Sequence, residues 1–250
     1  MDYKKLLQRM GAIALALIFW QVAAMLIHQN ILLVSPLQVA MRLTTIWREK
    51  DFFASLWFSF YHIVGGFFLG LCSGIVLAVL AARFRFMEQI LWPWMATIKS
   101  VPVASFVVIC LIWLSAKNLS IFISFLIVLP VIYQNVLTGL RSGDGKMEEM
   151  ARVFHLPWYR RLRYVTLPKL RPFLLSACSI TCGMAWKAGV AAEIIGTPNG
   201  SMGRQLYLSK IYLDTDDLLA WTVVIVAVSV LFEKLFLFVL RRILHEHPTE

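Results

Sequence analysis

Residues 55–82 run for 28 positions without a single Asp, Glu, Lys or Arg. As one helix such a run is about 42 Å long, more than enough to cross a ~30 Å hydrocarbon core. Comparable runs follow one another from end to end of the 250 residues. A soluble fold of this size lacks the polar surface to bury them all. Six spans are predicted, at about 10–27, 55–82, 90–114, 119–140, 172–195 and 217–240. Composition agrees, with 60% hydrophobic and 15% charged residues against roughly 45–50% and about 25% in an average soluble domain. Disorder, collagen and a secreted disulfide scaffold are excluded on the same grounds. The predicted fold class is an all-α membrane protein, with residues 1–250 forming one transmembrane domain.

A formal net charge of +10 raises the question of nucleic acid, but no basic face with interleaved aromatics lies on a soluble element. The 24 Lys and Arg residues instead cluster between apolar runs. Fifteen fall on the side that carries the N-terminus and six on the other, while Lys99, Lys187 and Lys234 lie within spans. Basic residues stay on the cytoplasmic side of short loops, so both termini are predicted to be cytoplasmic. The first apolar run has a basic flank (Lys4, Lys5, Arg9) and no A-x-A-like cleavage site, which predicts a retained span. Residues 37–50 carry charges on an otherwise apolar pattern after Ser35-Pro36, and are expected on the outer interface. Cys72, Cys110, Cys178 and Cys182 all sit in apolar runs and read as buried thiols.

The longest cytoplasmic loop, residues 141–171, holds eight of those fifteen basic residues. Asp144 is a candidate N-cap, with Glu148 and Glu149 in a first turn where the helix dipole favours anions. A helix over 145–155 is predicted to stop at Leu156-Pro157. Pro157 suits the first position of a second helix, 157–165, and Pro168 the start of the next span. Physical reasoning leaves two destinations for the apolar face of this helix–turn–helix: lipid headgroups or a protein partner.

Ionisable groups at membrane depth face a cavity or one another. Lys99 precedes Ser100-Val101-Pro102, where the third span is expected to break; it either lines a cavity or snorkels to an interface. Lys187 either pairs with a neighbouring helix, the favoured reading, or touches solute. Glu193 lies six residues further on, too far round one helix to pair with Lys187. Glu233 and Lys234 are adjacent and share no face. Gly65, Gly66 and Gly70 suggest a close-packing stripe, with Gly66 and Gly70 forming G-x-x-x-G. His62 is the one histidine of five inside a span, too little for an embedded enzyme. An ion-coupled transporter would show internal repeats or a chain of intramembrane carboxylates, and neither is present in the sequence.

Glu149-Met150-Ala151 followed by Val165-Thr166-Leu167-Pro168 resembles the EAA motif of ABC-importer permeases, E-A-A-x3-G-x9-I-x-L-P, without a gap. Met150 and Val165 are mild departures, and His155 stands where the motif has Gly. Val34-Ser35-Pro36-Leu37-Gln38-Val39, Ser59-Phe60-Tyr61-His62 with Gly66, and Ala191-Ala192-Glu193-Ile194-Ile195-Gly196 with Gly200-Ser201-Met202-Gly203 are similar to landmarks of the nitrate/sulfonate/taurine branch. The resemblance implies the type I ABC-importer permease fold in a bacterial inner membrane. It implies a homodimer, two cytoplasmic ABC ATPase subunits and an external solute-binding protein. It assigns ATPase coupling to Glu149, Ala151, His155, Leu167 and Pro168, and leaves Lys99, Lys187 and Glu193 as candidate pathway or gating residues. The expected solute is a small oxyanion, an organosulfonate or a thiamine-precursor-like compound. No G-x-x-x-x-G-K-[ST] phosphate loop occurs in the chain, so ATP and Mg are expected on the partner ATPase and no cofactor on this chain. His155 raises a question of geometry, because the motif's Gly sits where a left-handed residue is commonly needed. The expectation is that Leu156-Pro157 sets the turn without one.

Overall fold

The computed structural model describes residues 3–27, 33–142 and 145–245, and the described residues that form elements are all helical. In chain order the elements are α1 (Tyr3–Ile27), α2 (Pro36–Ile46), α3 (Phe52–Arg83), α4 (Arg85–Ser100), α5 (Val103–Cys110), α6 (Ala116–Arg141), α7 (Gly145–Val153), α8 (Trp158–Arg161), a π turn (Leu162–Thr166), α9 (Leu167–Gly196), α10 (Met202–Ile211) and α11 (Thr215–His245). Five helices are long and apolar enough to cross a membrane, or six if the bent pair α4 and α5 counts as one crossing.

Helices α3, α6 and α9 form the centre, packed through Phe67, Ala78, Val128, Ile132, Ala177 and Ala185, all buried. On α1 and α11 large apolar side chains such as Phe19, Leu26, Leu231 and Phe238 stay exposed. An aqueous protein would bury such groups; in hydrocarbon they cost nothing, because the helix satisfies its own backbone. Helix α2 is fixed at its start by a capping box, in which Ser35 Oγ accepts from Gln38 N at 3.3 Å and Gln38 Oε1 accepts from Ser35 N at 3.1 Å. Arg42 on α2 donates to Asp217 on α11 at 2.5 Å and also to Glu49. The Asp217 hydrogen bond holds the guanidinium charged, pushing its pKa above the ordinary value.

Close approach of α3 to α6 depends on missing side chains. A Cβ built on Gly66 would lie 2.3 Å from the Ile121 carbonyl oxygen, one on Gly70 2.7 Å from Val128 Cβ, and one on Gly74 3.0 Å from Ile132 Cβ. Spacing of four places all three on one face. Gly65, expected in this stripe, has nothing within 4 Å and faces away; Gly74 takes its place, since position 65 is about 100° round the helix from 66. Gly66→Ala is expected to destabilise the protein by about 1–3 kcal/mol, read as a lower thermal midpoint in detergent, whereas Gly65→Ala should leave the midpoint unchanged. Equal midpoints for the two variants would refute the packing role.

The chain breaks where proline predicts, but more sharply than an interrupted span. Val101 is extended (φ −76, ψ 129) ahead of Pro102, and α4 and α5 meet at a bend of 104°. With 16 and 8 residues they are about 24 Å and 12 Å long, so neither alone crosses the hydrocarbon core. Elsewhere the expected break is absent. From Trp158 to Gly196 the helix runs continuously through the π turn, where Leu167 N–H donates to the Leu162 carbonyl. Pro168 cannot donate to residue 164, and its ring crowds that carbonyl. The widened turn accommodates this without ending the helix, so Pro168 lies inside the first turn of α9 rather than opening a separate span. Among the cysteines, Cys72 is exposed, against expectation, because it lies on the outer face of α3; the other three are buried, and all four are free.

Candidate functional site

Helices α7 and α8 form a hook that projects between the ends of α6 and α9. Phe154 N donates to Met150 O and Leu156 N to Ala151 O, both at 3.0 Å. The second bond closes a six-residue turn of Schellman type, which requires a left-handed residue just before its end. That residue is His155, with φ 47. The expectation that Leu156-Pro157 would set the turn alone is therefore overturned. Pro157 restricts only its predecessor, Leu156, and the reversal falls one residue earlier. Pro157 itself is the N-cap of α8, at φ −62 and ψ 152, rather than its first helical residue. Ala151 is 2% exposed, while Val153, Phe154 and Trp158 are each more than 70% exposed. Glu149, His155, Leu167 and Pro168 are all exposed as well. Asp144 lies outside the described residues.

One contact that sequence reasoning did not find ties the start of α9 to the end of α6 at the base of the hook. Lys169 Nζ donates to the Leu140 carbonyl at 2.8 Å, capping the last turn of α6 with a cation. A lysine one residue after a proline gives no sequence signal for a carbonyl 29 positions away.

At the other end of α9, Glu193 is fully buried. Its Oε2 accepts from Ser59 Oγ at 2.6 Å and from Gly203 N at 3.2 Å, while Ser59 Oγ accepts from Met202 N at 2.9 Å. The carboxyl group thus sits on the first turn of α10, where free N–H groups and the helix dipole favour it. Gly203 is obligatory there, since a Cβ would lie 2.3 Å from Glu193 Cβ. Thr197 (φ 44) and Gly200 (φ 78) turn the chain back over the end of α9. Gln205 Nε2 adds a bond to Ser55 Oγ at 3.3 Å. The result is a strap, α10, held on α3 by two serines and on α9 by one acid. The Ser120 hydroxyl lies beside the same carboxyl group, but neither its Oγ nor Glu193 Oε1 reaches good hydrogen-bond geometry with any described residue.

Lys99 and Lys187 are both exposed, and neither pairs with a carboxylate among the described residues. Within the described residues of one chain, the pair favoured for Lys187 is not seen. Its side chain lies on a stripe of α9 with Ser176, Ile180 and Met184, the one face of that helix that no other helix covers. Glu233 Oε1 accepts from Ser179 Oγ at 3.1 Å and Lys234 is exposed. His62 Nδ1 meets the Phe58 carbonyl at 2.7 Å and its ring stacks on Phe58, an ordinary packed histidine. Among the described residues no group of three or more His, Cys, Asp or Glu side chains is placed to hold a metal.

A bundle of membrane-length helices with a projecting hook whose apolar tip is exposed defines a polytopic membrane protein. Residues 74–247 match the family described as binding-protein-dependent transport system inner membrane component, and the chain belongs to that family of ABC-importer permeases. It is 26% identical over 230 residues to the taurine transport system permease protein of Escherichia coli (strain K12), covering 89% of this chain and 83% of that one. It is 24% identical over 185 residues to the formylaminopyrimidine transport permease protein of Halalkalibacterium halodurans, covering 74% of each. Over 143 residues it is 25% identical to the nitrate import permease protein of Synechococcus elongatus, covering 57% of this chain and 51% of that one. The chain is a transport subunit of an importer and carries no ATPase site of its own.

Proposed function

We propose that this chain is the six-span half of an ATP-driven importer in a bacterial inner membrane, with both termini cytoplasmic. Two copies enclose the pathway, an external binding protein delivers solute, and two ABC ATPases seat on the hooks. The solute is a small oxyanion, an organosulfonate or a thiamine-precursor-like compound, as in the relatives named above. ATP and Mg stay on the ATPase, and this chain binds no cofactor. Glu149, Ala151, His155, Leu167 and Pro168 form the coupling element. Lys99 and Lys187 face the pathway, and Glu193 holds the strap that gates its outer end.

The observation that carries this reading is the hook. Val153, Phe154 and Trp158 are exposed at its tip, α8 runs on into α9, and the Lys169–Leu140 bond ties the start of α9 to the end of α6, so a push on the hook reaches both central helices. Glu149 falls at the middle of the nine-residue α7, beyond the first turn expected for it, so Glu149→Lys acts by reversing the charge presented to a docking partner. In vesicles holding the permease with its ATPase, solute-stimulated ATP hydrolysis should fall while insertion stays normal. Full stimulated turnover in that variant would reject the coupling assignment.

A further inference from the structure

Helices α4 and α6 hold a recess of about 280 Å³ between them, at the small end of the roughly 300–1,000 Å³ typical of ligand pockets. From α4 it is lined by Glu88, Trp92 and Lys99, and from α6 by Gln134, Thr138 and Arg141. At the mouth nearest the hook, Arg141 Nη1 and Nη2 donate to the two carboxylate oxygens of Glu88 at 2.6 and 2.5 Å. Those two charges cancel. Lys99 lies eleven residues along α4 from Glu88, about 16 Å up the axis, and has no carboxylate partner among the described residues. The recess therefore carries one uncompensated positive charge. An ammonium at membrane depth is costly unless a cavity or a counter-ion meets it, and some 21 Å of helix separates Lys99 from the hook end of α4, too far to snorkel that way. The amide of Gln134 and the hydroxyl of Thr138 supply neutral hydrogen-bond donors on the facing wall.

We infer that this recess is an inner station for an anionic solute, an inference that rests on the permease reading. Lys99 takes the sulfonate or oxyanion group, Gln134 and Thr138 bind its remaining oxygens, and the Glu88–Arg141 pair closes the exit. Arg141 is the last residue of α6, adjacent to the carbonyl that Lys169 grips. Because α8 runs on into α9, movement of the hook reaches the exit pair through the start of α9 and that carbonyl.

The test uses the permease with its ATPase subunits in phosphatidylcholine nanodiscs, without binding protein. Methanesulfonate, taurine and nitrate are titrated in turn against potassium chloride as the ionic-strength control, and tryptophan emission is followed because Trp92 lines the recess. A saturable response to at least one probe is expected. Lys99→Gln should weaken its apparent Kd by about tenfold, the loss of one charge-assisted hydrogen bond, whereas Lys99→Arg should preserve the response. An absent response in the unaltered protein, or an equal Kd in Lys99→Gln, overturns the station. A headgroup phosphate has the same chemistry as the probes. If the response disappears in phosphatidylglycerol nanodiscs and that lipid is retained only with Lys99 present, the recess is a lipid site and the solute assignment fails. The permease reading is judged separately by the Glu149→Lys coupling experiment, so failure of either leaves the other measurable.

Discussion

Alanine in place of Glu193 is expected to lower stability by about 2–5 kcal/mol. The substitution removes the acceptor for the Ser59 hydroxyl and the Gly203 N–H, both buried, and each donor left unpaired costs about 1–3 kcal/mol, with a cavity penalty added. The strap should loosen as a unit, because Met202 N–H depends on the same Ser59 oxygen. Glutamine should behave differently. Its carbonyl oxygen keeps both donors satisfied, and its NH₂ lands where Oε1 now has no partner, beside the equally unpartnered Ser120 hydroxyl. Glu193→Gln is therefore expected to match or exceed the parent midpoint in detergent, while Glu193→Ala falls well below it. Ser59→Ala combined with Glu193→Ala should cost less than the two separate losses, since both remove one network. An alanine variant with the parent midpoint would mean that the strap is not anchored by the acid. A glutamine variant that is stable but does not transport would separate a requirement for charge from one for structure.

What the sequence makes legible follows from periodicity and from local chemistry. Uncharged runs such as 55–82 disclose helices because nothing else about them is ambiguous at membrane length. Ser35-Pro36-Leu37-Gln38 discloses a capped start, since all its partners lie within three residues. Pro102 discloses a break, but its 104° bend depends on what α5 packs against, which no local signal encodes. Pro168 misleads in the opposite direction. Local rules read a helix start there, whereas a π turn absorbs the missing donor and lets α8 and α9 run on. At the strap, Glu193 is conspicuous as an acid in an apolar run, but its partner Ser59 is 134 residues away. A serine among Leu, Trp and Phe carries no mark of being an anchor. Lys187 shows the same limit: its charge is visible in the sequence, and the absence of a partner is visible only when the uncovered stripe of α9 is seen.

The hook offers the sharpest test of backbone geometry, because one residue stands against a steric rule. A left-handed conformation costs an L-residue roughly 1–2 kcal/mol, and His155 bears it at φ 47 because Leu156 N–H must reach Ala151 O to end α7. Histidine is among the non-glycine residues enriched at positive φ. Glycine removes the cost, so His155→Gly should leave coupling intact or tighten the turn by up to about 1 kcal/mol. Valine adds a β-branch for which positive φ is a true outlier, worth about 1–3 kcal/mol of strain. The hook is short and this turn links its two helices, so that strain should be relieved by unwinding the end of α7. Exposed Val153 and Phe154 would then lose their fixed positions relative to Trp158. His155→Val should consequently insert normally, show faster proteolysis within residues 145–161, and lose most of its solute-stimulated ATP hydrolysis when reconstituted with the ATPase. Leucine, unbranched at Cβ, should fall between glycine and valine. Equal coupling in the glycine, leucine and valine variants would show that the turn survives without a left-handed residue, and that Leu156-Pro157 can set it after all.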